Sequence, residues 1–230
     1  MLELDELKFG YDPLQVSASC EVTERGITAI MGPSGAGKSS LLACLSGFLP
    51  PVQGRILWQG QNITKVPVAQ RPVSILFQDN NLFPHLTIER NLALAFTRRL
   101  RLSSEAKARI SHALEQVGLF GFGNKRPSHL SGGQNSRAAL ARVLLQRRPI
   151  LALDEPFSAL GPAQKVEMLE LVKSVCAAEN MKCLMVTHDP QDARLIAEDI
   201  LVVSKGYVSG PFSVTEALDP KTGPLRTYLA

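Results

Sequence analysis

Short apolar runs rich in β-branched residues recur along the chain, and longer segments with helical spacing separate them. Since these runs are apolar at consecutive positions, they predict strands that are buried on both faces, as in a parallel sheet. Runs of this kind occupy residues 27–31, 73–77, 150–153, 183–187 and 200–203. Strands that alternate with helices in this way predict an α/β fold.

The N-terminal part has another pattern, in which single apolar residues alternate with polar ones. Leu2 and Leu4 show it first, and residues 54–58 show it again between turn-forming residues. Such alternation predicts half-buried strands. We therefore expect an N-terminal antiparallel β subdomain beside a mainly parallel sheet.

Apolar residues spaced three or four apart predict amphipathic helices in three segments. These helices are expected at residues 39–49, 104–117 and 162–178. The first carries Phe48 on its apolar stripe and ends before Pro50, and the third is expected to bury Val166. Asp189 followed by Pro190 predicts the start of another helix directly after a strand.

The segment from about residue 80 to residue 145 contains no run that predicts a strand, although strands are predicted on both sides of it. This arrangement predicts a helical subdomain inserted into the α/β core. We expect one domain, with a nucleotide-binding core formed by residues 1–79 and 146–230 and a helical subdomain at residues 80–145.

The composition excludes several classes of function. A net charge of +4 is spread among many acidic residues, and the basic run at residues 98–101 has no aromatic residue that could stack on bases, so nucleic acid is not expected as a partner. The 4 cysteines lack the spacing of a zinc site. No apolar run reaches the roughly 18 residues of a membrane span, and the N-terminus lacks a signal-peptide pattern, which predicts a chain that is soluble when isolated.

One glycine-rich segment has the spacing of a phosphate-binding loop and lies between a predicted strand and a predicted helix. Its backbone N–H groups and the helix N-terminus can surround phosphate oxygens, while Lys38 reaches the terminal phosphates of ATP and Ser39 ligates Mg²⁺. Ser40 adds a further phosphate contact. By itself the loop fits a small-molecule kinase, a GTPase or a motor ATPase. The segment consists of Gly32, Pro33, Ser34, Gly35, Ala36, Gly37, Lys38 and Ser39.

Two adjacent carboxylates, Asp154 and Glu155, follow directly after the apolar run at residues 150–153. The carboxyl end of a parallel strand is the side on which ligands bind. There Asp154 is expected to hold Mg²⁺, and Glu155 to polarise the water that attacks the terminal phosphate. The pair therefore predicts hydrolysis of the nucleotide in addition to its binding.

A third motif, Leu-Ser-Gly-Gly-Gln at residues 130–134, lies between the phosphate loop and the carboxylate pair. Taken in this order, the three motifs resemble those of the ATP-binding cassette family. A helix is expected to begin at the motif and to present its N–H groups to phosphate. The resemblance implies a P-loop NTPase core and a homodimer in which this helix end faces the nucleotide of the second subunit. The residues concerned are Ser131, Gly132, Gly133 and Gln134.

The resemblance also implies roles for single residues outside these motifs. Tyr11 is expected to stack on adenine, and Gln78 to contact Mg²⁺ and the attacking water. His188 corresponds to the histidine that senses the γ-phosphate. At Gly161 the chain departs from the family, which normally has aspartate there, and we expect this difference to reduce coupling between the two sites or to alter the rate.

The order of motifs is similar to that of import ATPases that are separate from their membrane subunits. This similarity implies transmembrane permease subunits, indirectly a solute-binding protein, and a peripheral position on the cytoplasmic face of the bacterial inner membrane. Residues 70–87 and the short C-terminus are similar to the family members that energise thiamine import. An importer for iron, a polyamine or an anion stays open, as does a soluble cassette protein acting on nucleic acid or ribosomes.

Overall fold

The computed structural model describes residues 1–11, 14–79, 82–97 and 101–229 of the chain. The strands in these ranges are β1 (Leu2–Tyr11), β2 (Leu14–Val22), β3 (Gly26–Met31), β4 (Gln53–Trp58), β5 (Gln61–Asn62), β6 (Val73–Leu76), β7 (Ile150–Asp154), β8 (Lys182–Val186), β9 (Asp199–Ser204) and β10 (Tyr207–Ser213). The helices are α1 (Lys38–Ser46), α2 (Ile88–Ala93), α3 (Ser104–Gln116), α4 (Gly132–Leu144), α5 (Pro162–Ala178), α6 (Pro190–Ile196), α7 (Val214–Ala217) and α8 (Arg226–Leu229).

All of these strands join one sheet in the order β5-β4-β1-β2-β10-β9-β3-β8-β7-β6. The stretch from β9 to β6 is parallel and contains the five strands that were predicted from consecutive apolar residues. Their observed ends differ from the predicted ends by at most 1 residue. Every residue of β8 is buried, as expected for a strand covered on both faces. The predicted mainly parallel α/β sheet is confirmed.

The antiparallel part of the sheet is built around β1, which pairs with β2 on one side and β4 on the other. The sequence analysis missed β2, although Val16, Ala18 and Val22 alternate with polar residues and are buried. It also missed β10, which Gly210 and Pro211 interrupt. Strand β10 pairs with β9 and β2 and so joins the two parts of the sheet.

The end of α1 corrects one prediction. The helix ends at Ser46 and not at residue 49, because Gly47 adopts the left-handed conformation with a φ of 86°. Phe48 therefore leaves the apolar stripe and is 54% exposed. Its ring contacts that of Phe77 edge to face, with the centroids 5.7 Å apart.

Helix α5 has the predicted bounds, but the prediction for Val166 is wrong, since this side chain is 48% exposed. The buried stripe of the helix runs through Leu169 and Val172. At a rotation of about 100° per residue, Val166 lies roughly a third of a turn away from the centre of that stripe. Two other predicted starts are confirmed: α3 begins at Ser104, and α6 begins at Pro190.

The parallel part of the sheet is covered on both faces, so only the ends of its strands are left for a ligand site. Leu151 and Leu153 of β7 share a hydrophobic cluster with α2, α3, α4 and α5. Ile150 and Ala152 point the other way and share a cluster with α1 and the antiparallel strands. Between residues 77 and 149, the described part of the chain has helices and no strand. The subdomain boundaries at residues 80 and 145 stay a prediction.

None of the helices in the described ranges is both long enough and apolar enough to cross a membrane. The basic run at residues 98–101 lies almost entirely outside those ranges. All 4 cysteines are free thiols, and Cys44, Cys176 and Cys183 are buried.

Candidate active site

Four neighbouring strands carry the predicted chemistry at their carboxyl ends. Strand β3 leads into the phosphate loop, and β7 ends at Asp154 directly before Glu155. Strand β6 is followed by Gln78, and β8 by His188. Because β3, β8, β7 and β6 are consecutive and parallel in the sheet, these residues lie in a row along the carboxyl ends of the strands. The structure thus brings together site residues that are far apart in the sequence.

The phosphate loop turns through glycines with positive φ. At Gly32, which has a φ of 147°, a Cβ atom would lie 2.0 Å from the carbonyl oxygen of Val203. A side chain therefore does not fit at this position. Gly37, with a φ of 100°, precedes α1 and offers no side chain to cap the helix. The N–H groups of the first turn consequently stay available to an anion.

Lys38 is nearly buried within the loop, with 7% of its surface exposed. Its Nζ donates hydrogen bonds to the carbonyl oxygens of Gly32 at 2.8 Å and Pro33 at 2.9 Å. Burial lowers the pKa of the ammonium group, while the nearby carboxylates of Glu155 and Asp154 act in the opposite direction. The loop thus holds a cation where phosphate oxygens are predicted to bind.

Ser39 and Asp154 meet at the start of α1. The Ser39 hydroxyl donates a hydrogen bond of 2.9 Å to Oδ1 of Asp154. Burial raises the pKa of Asp154, and the charge of Glu155 adds to that effect, whereas the hydrogen bond from Ser39 opposes it. A hydroxyl and a carboxylate at one point are the oxygen ligands that Mg²⁺ prefers. The pair fits the magnesium site expected from the sequence.

Glu155 and His188 form a second pair beside the first. Nδ1 of His188 lies 3.1 Å from Oε2 of Glu155, and the imidazole side chain is 58% exposed. Glu155 has a φ of 43°, an uncommon conformation for a residue with a side chain. With Nδ1 directed at the carboxylate, Nε2 is left for another partner. The two residues therefore form a carboxylate–imidazole pair at the exposed carboxyl ends of β7 and β8.

Gln78 is exposed and reaches the same pair through a serine. Its Nε2 lies 3.4 Å from Oγ of Ser158, and that hydroxyl donates a hydrogen bond of 3.1 Å to the carbonyl oxygen of Glu155. The sequence analysis did not single out Ser158. Its position three residues after Glu155, in a turn, could have indicated a hydrogen bond from its hydroxyl to the backbone of Glu155.

Helix α4 begins at the third motif, as predicted. Oγ of Ser131 accepts a hydrogen bond of 3.3 Å from the backbone N–H of Gln134, and Oε1 of Gln134 accepts one of 3.0 Å from the N–H of Ser131. This is a capping box, which satisfies two N–H groups of the helix end. Among the hydrogen bonds of the described residues, none connects this helix start to the phosphate loop of the same chain.

Several predicted roles are not tested by any contact in the structure. The side chain of Tyr11 lies outside the described part of the chain. Ser34 and Gly35 are exposed at the tip of the phosphate loop, and Ala36 and Ser40 are half-buried. Their contacts with a nucleotide stay predictions.

The loop that carries His188 is held by a charged cluster that the sequence analysis missed. Nζ of Lys165, on α5, lies 2.7 Å from Oδ2 of Asp189 and 2.7 Å from Oδ1 of Asp192. The Thr187 hydroxyl donates to Oδ2 of Asp192 at 2.5 Å and accepts from the N–H of Asp189 at 3.1 Å. Only the cap at Asp189 had been recognised. Lys165 lies 24 residues before Asp189 in the sequence, so no local pattern connects the two.

Comparison with known proteins gives the chain relatives over its whole length. Residues 16–158 match the family described as ABC transporter. The chain is 50% identical over 231 residues to the thiamine import ATP-binding protein ThiQ of Cereibacter sphaeroides, with 100% of this chain and 99% of that protein covered. It is 47% identical to the protein of the same name from Yersinia pseudotuberculosis, covering 95% of this chain and 92% of that one.

Solved structures agree with this match. The chain superposes on a dimeric ATP-binding cassette, MJ0796, in a post-hydrolysis state bound to ADP and phosphate, with a TM-score of 0.78 and 26% identity. The match covers 93% of this chain and 99% of the other. The P-loop NTPase fold and the resemblance drawn from the three motifs are both confirmed. The chain belongs to the ABC transporter family and is one of its ATP-binding proteins.

Proposed function

We propose that the chain is the ATP-hydrolysing subunit of a thiamine importer and that it works as a homodimer on separate permease subunits. The observation that carries the hydrolytic part is the placement of Lys38, Glu155 and His188 along one edge of the parallel sheet. The substrate is supported by relatives named for thiamine import that match the chain over its full length.

ATP would be held first by the phosphate loop. The N–H groups between Gly32 and Ser39 surround the β- and γ-phosphates, since the start of α1 has no side-chain cap that competes for them. Lys38 exchanges its hydrogen bonds to the carbonyl oxygens of Gly32 and Pro33 for hydrogen bonds to phosphate oxygens. Tyr11 provides the stacking surface for adenine.

Ser39 and Asp154 are the residues that would hold Mg²⁺, and Gln78 would be a further ligand. The hydrogen bond between Ser39 and Asp154 supports this assignment, because it places two oxygen ligands at the mouth of the phosphate loop. When bound, the ion would neutralise part of the phosphate charge that builds up during transfer.

Glu155 acts on the attacking water. Its carboxylate accepts a hydrogen bond and then the proton from the water whose oxygen bonds to the γ-phosphorus, while the bond to the β-phosphate oxygen breaks. His188 keeps Nδ1 on Glu155 and directs Nε2 to the γ-phosphate, so that one imidazole contacts both the base and the phosphate. The products are ADP and phosphate.

A second subunit would complete each site with the residues at the start of its helix α4. Ser131, Gly132, Gly133 and Gln134 of that subunit face the γ-phosphate across the interface. The dimeric cassette among the structural neighbours supports this arrangement. Binding of ATP then closes the dimer and its hydrolysis allows reopening, a motion that the permease converts into uptake.

The permease and a solute-binding protein are further expected partners. A permease docking to the chain would hold it at the cytoplasmic face of the inner membrane. An exposed aromatic side chain beside the Gln78 segment supports a docking surface there, since Phe48 is 54% exposed and its ring contacts that of Phe77, the residue before Gln78. No nucleic acid is expected at this surface.

The dimer is tested with Glu155→Gln, which keeps the size of the side chain and removes its ability to take a proton. We expect ATP hydrolysis to fall by about 100-fold or more and an ATP-bound dimer to accumulate in size-exclusion chromatography. Glu170→Gln, an exposed change on α5, is the control and should leave both measurements unchanged. A Glu155→Gln protein that stays monomeric at saturating ATP contradicts the proposal.

The substrate needs a separate experiment, because the residues proposed for the ATP site do not contact the transported solute. The chain is purified from its own cells with the membrane subunits attached, reconstituted in liposomes, and assayed for ATP-dependent uptake of labelled thiamine, iron and a polyamine. We expect thiamine uptake alone. Copurification with ribosomes in place of membrane subunits would instead support the soluble alternative.

A further inference from the structure

The loop after β8 carries His188, which is 58% exposed in its side chain and contacts the rest of the site through Glu155. Packing contacts do little to hold an exposed side chain at a strand end in one position. Something else must therefore hold this loop so that the distance between Nδ1 and Oε2 of Glu155 remains 3.1 Å. The residues on both sides of His188 provide that support.

Thr187 and Asp189 flank His188 and are both anchored. The Thr187 hydroxyl donates to Asp192 on α6 and accepts from the N–H of Asp189. Asp189 also caps α6 by accepting from the N–H of Gln191 at 2.9 Å. On the outer side, the Tyr228 hydroxyl donates a hydrogen bond of 2.9 Å to the carbonyl oxygen of His188. The loop backbone is thus fixed on each side of the imidazole.

Lys165 is the cation at the centre of these anchors. Its side chain is 18% exposed, and its Nζ bridges Asp189 and Asp192 at 2.7 Å each. Although burial lowers the pKa of Lys165, hydrogen bonds to the two carboxylates raise it overall, and the hydrogen bond from Lys165 lowers the pKa of Asp189. The ammonium group therefore stays charged, and it holds Asp189, in the loop after β8, and Asp192, on α6, against α5.

Helix α5 begins directly after the turn that starts at Glu155. The turn ends at Gly161, and the carbonyl oxygen of Gly161 accepts a hydrogen bond of 2.9 Å from the N–H of Lys165. Contacts therefore run from Glu155 through the turn to Lys165, on to the two aspartates, through Thr187 to His188, and back to Glu155. Lys165 is thus a charged contact from the first turn of α5 to Asp189 and Asp192.

We propose that Lys165 is a positioning residue that holds His188 against Glu155 and transmits displacement of the turn at residues 155–161 to the imidazole. Lys165 touches neither the nucleotide nor the water in this role. It acts through Asp189, Asp192 and Thr187. The inference rests on the proposed ATP hydrolysis and adds to it the contacts that connect the turn at residues 155–161 with His188.

The test compares two lysines on the same helix. Lys173 is also on α5, is exposed, and donates to the carbonyl oxygen of Leu195 at 3.3 Å. Lys165→Gln and Lys173→Gln therefore remove one ammonium group each from the same helix, but only the first removes the contacts with Asp189 and Asp192. Lys165→Arg keeps the charge and serves as the conservative variant.

The first measurement is ¹⁵N NMR of the histidine rings in the nucleotide-free protein, which requires no activity. We expect Lys165→Gln to shift the His188 signals and to leave those of His85, His112 and His129 in place, while Lys173→Gln shifts none. Substitution of His188 by alanine assigns its signals. Unchanged His188 signals in the folded Lys165→Gln protein overturn the inference.

The second measurement is steady-state ATP hydrolysis. A displaced imidazole lowers kcat of Lys165→Gln by about 10-fold or more, because small misplacements of reacting groups are costly. The KM for ATP stays within about twofold, since the phosphate loop is untouched. Lys165→Arg should recover most of the rate. Equal losses in Lys165→Gln and Lys173→Gln contradict the inference.

The two levels of the proposal fail in different ways. If the wild-type chain hydrolyses ATP and Lys165→Gln does so at the same rate, the positioning role of Lys165 is wrong and the proposed function stands. If the wild-type chain with its permease hydrolyses no ATP, the proposed function is wrong, and the ¹⁵N NMR measurement still decides whether Lys165 positions His188.

Discussion

The glycines of the phosphate loop and the glycines at the start of α4 differ in how much space the fold leaves for a side chain. A Cβ atom at Gly32 would lie 2.0 Å from a carbonyl oxygen, and one at Gly37 would lie 2.7 Å from Cγ2 of Val16. At Gly132 and Gly133, the nearest atoms to an added Cβ lie at 3.7 and 3.6 Å, which is ordinary contact. The fold of a single subunit therefore requires the first two glycines and not the second two.

The two helix starts differ in the same sense. Helix α1 begins after Gly37 without a side-chain cap, whereas α4 begins with a capping box formed by Ser131 and Gln134. The start of α1 leaves its N–H groups open to an anion in the lone subunit, whereas at the start of α4 the N–H groups of Ser131 and Gln134 already have side-chain partners. In the proposed dimer, the start of α4 would contact phosphate only when another subunit brings a nucleotide to it.

The largest expected effect is at Gly32. We expect Gly32→Ala to lower the free energy of unfolding by about 2–4 kcal/mol, since it combines backbone strain with overlap against Val203. Urea denaturation measures this. The control is Gly35→Ala, where φ is also positive but no atom lies within 4 Å of the added Cβ; its cost should be about 1–2 kcal/mol. Equal costs would show that the overlap does not matter.

A smaller effect is expected at the cap of α4. Ser131→Ala removes the side chain that accepts from Gln134 and should lower the free energy of unfolding by about 1 kcal/mol. Ser103→Ala removes the equivalent cap of α3 and should cost a similar amount. ATP hydrolysis should fall in the first variant alone. Equal hydrolysis by both would argue against a role of Ser131 beyond the helix.

The third prediction concerns Gly133, in the first turn of α4. Gly133→Ala should leave the free energy of unfolding unchanged or raise it by up to about 1 kcal/mol, because alanine favours a helix and has room here. ATP-dependent dimerisation should nevertheless weaken, as seen by analytical ultracentrifugation. A variant that dimerises normally would show that the glycine is not needed at the interface.

The smallest effect is expected at Gly161, the residue before α5. Its φ of −64° suits any residue and no atom lies within 4 Å of an added Cβ, so Gly161→Asp fits and can cap α5. The gain in the free energy of unfolding should be roughly a few tenths of a kcal/mol. We expect ATP hydrolysis or transport to change as well, because the family residue is restored. No change in either would contradict a role in coupling.

The strands of the parallel part could be predicted because a strand that is buried on both faces consists of consecutive apolar residues. Phe48 could not be placed, since a glycine in the left-handed conformation ends α1 before it. Strand β10 was hidden by Gly210 and Pro211, whose effect on pairing depends on the neighbouring strands. Local composition therefore predicted the parallel part of the sheet better than β2 and β10, which join it to the antiparallel part.

The site shows the same limit. Lys38, Asp154 and Glu155 were predictable because each lies at a fixed distance from a strand end. The capping box was also within reach, since Ser131 and Gln134 have the required spacing. The cluster around Lys165 was not, because it depends on how α5 packs against α6. A contact between side chains of two different helices leaves no short pattern in the sequence.

The two hydrogen bonds from Lys38 to its own loop have a consequence for turnover. A buried ammonium group that loses its partner costs about 3–5 kcal/mol. Here the carbonyl oxygens of Gly32 and Pro33 are in place whenever phosphate is not, so departure of the products leaves no unpaired charge. In the proposed cycle, the loop therefore supplies hydrogen-bond acceptors to Lys38 between the departure of one nucleotide and the binding of the next.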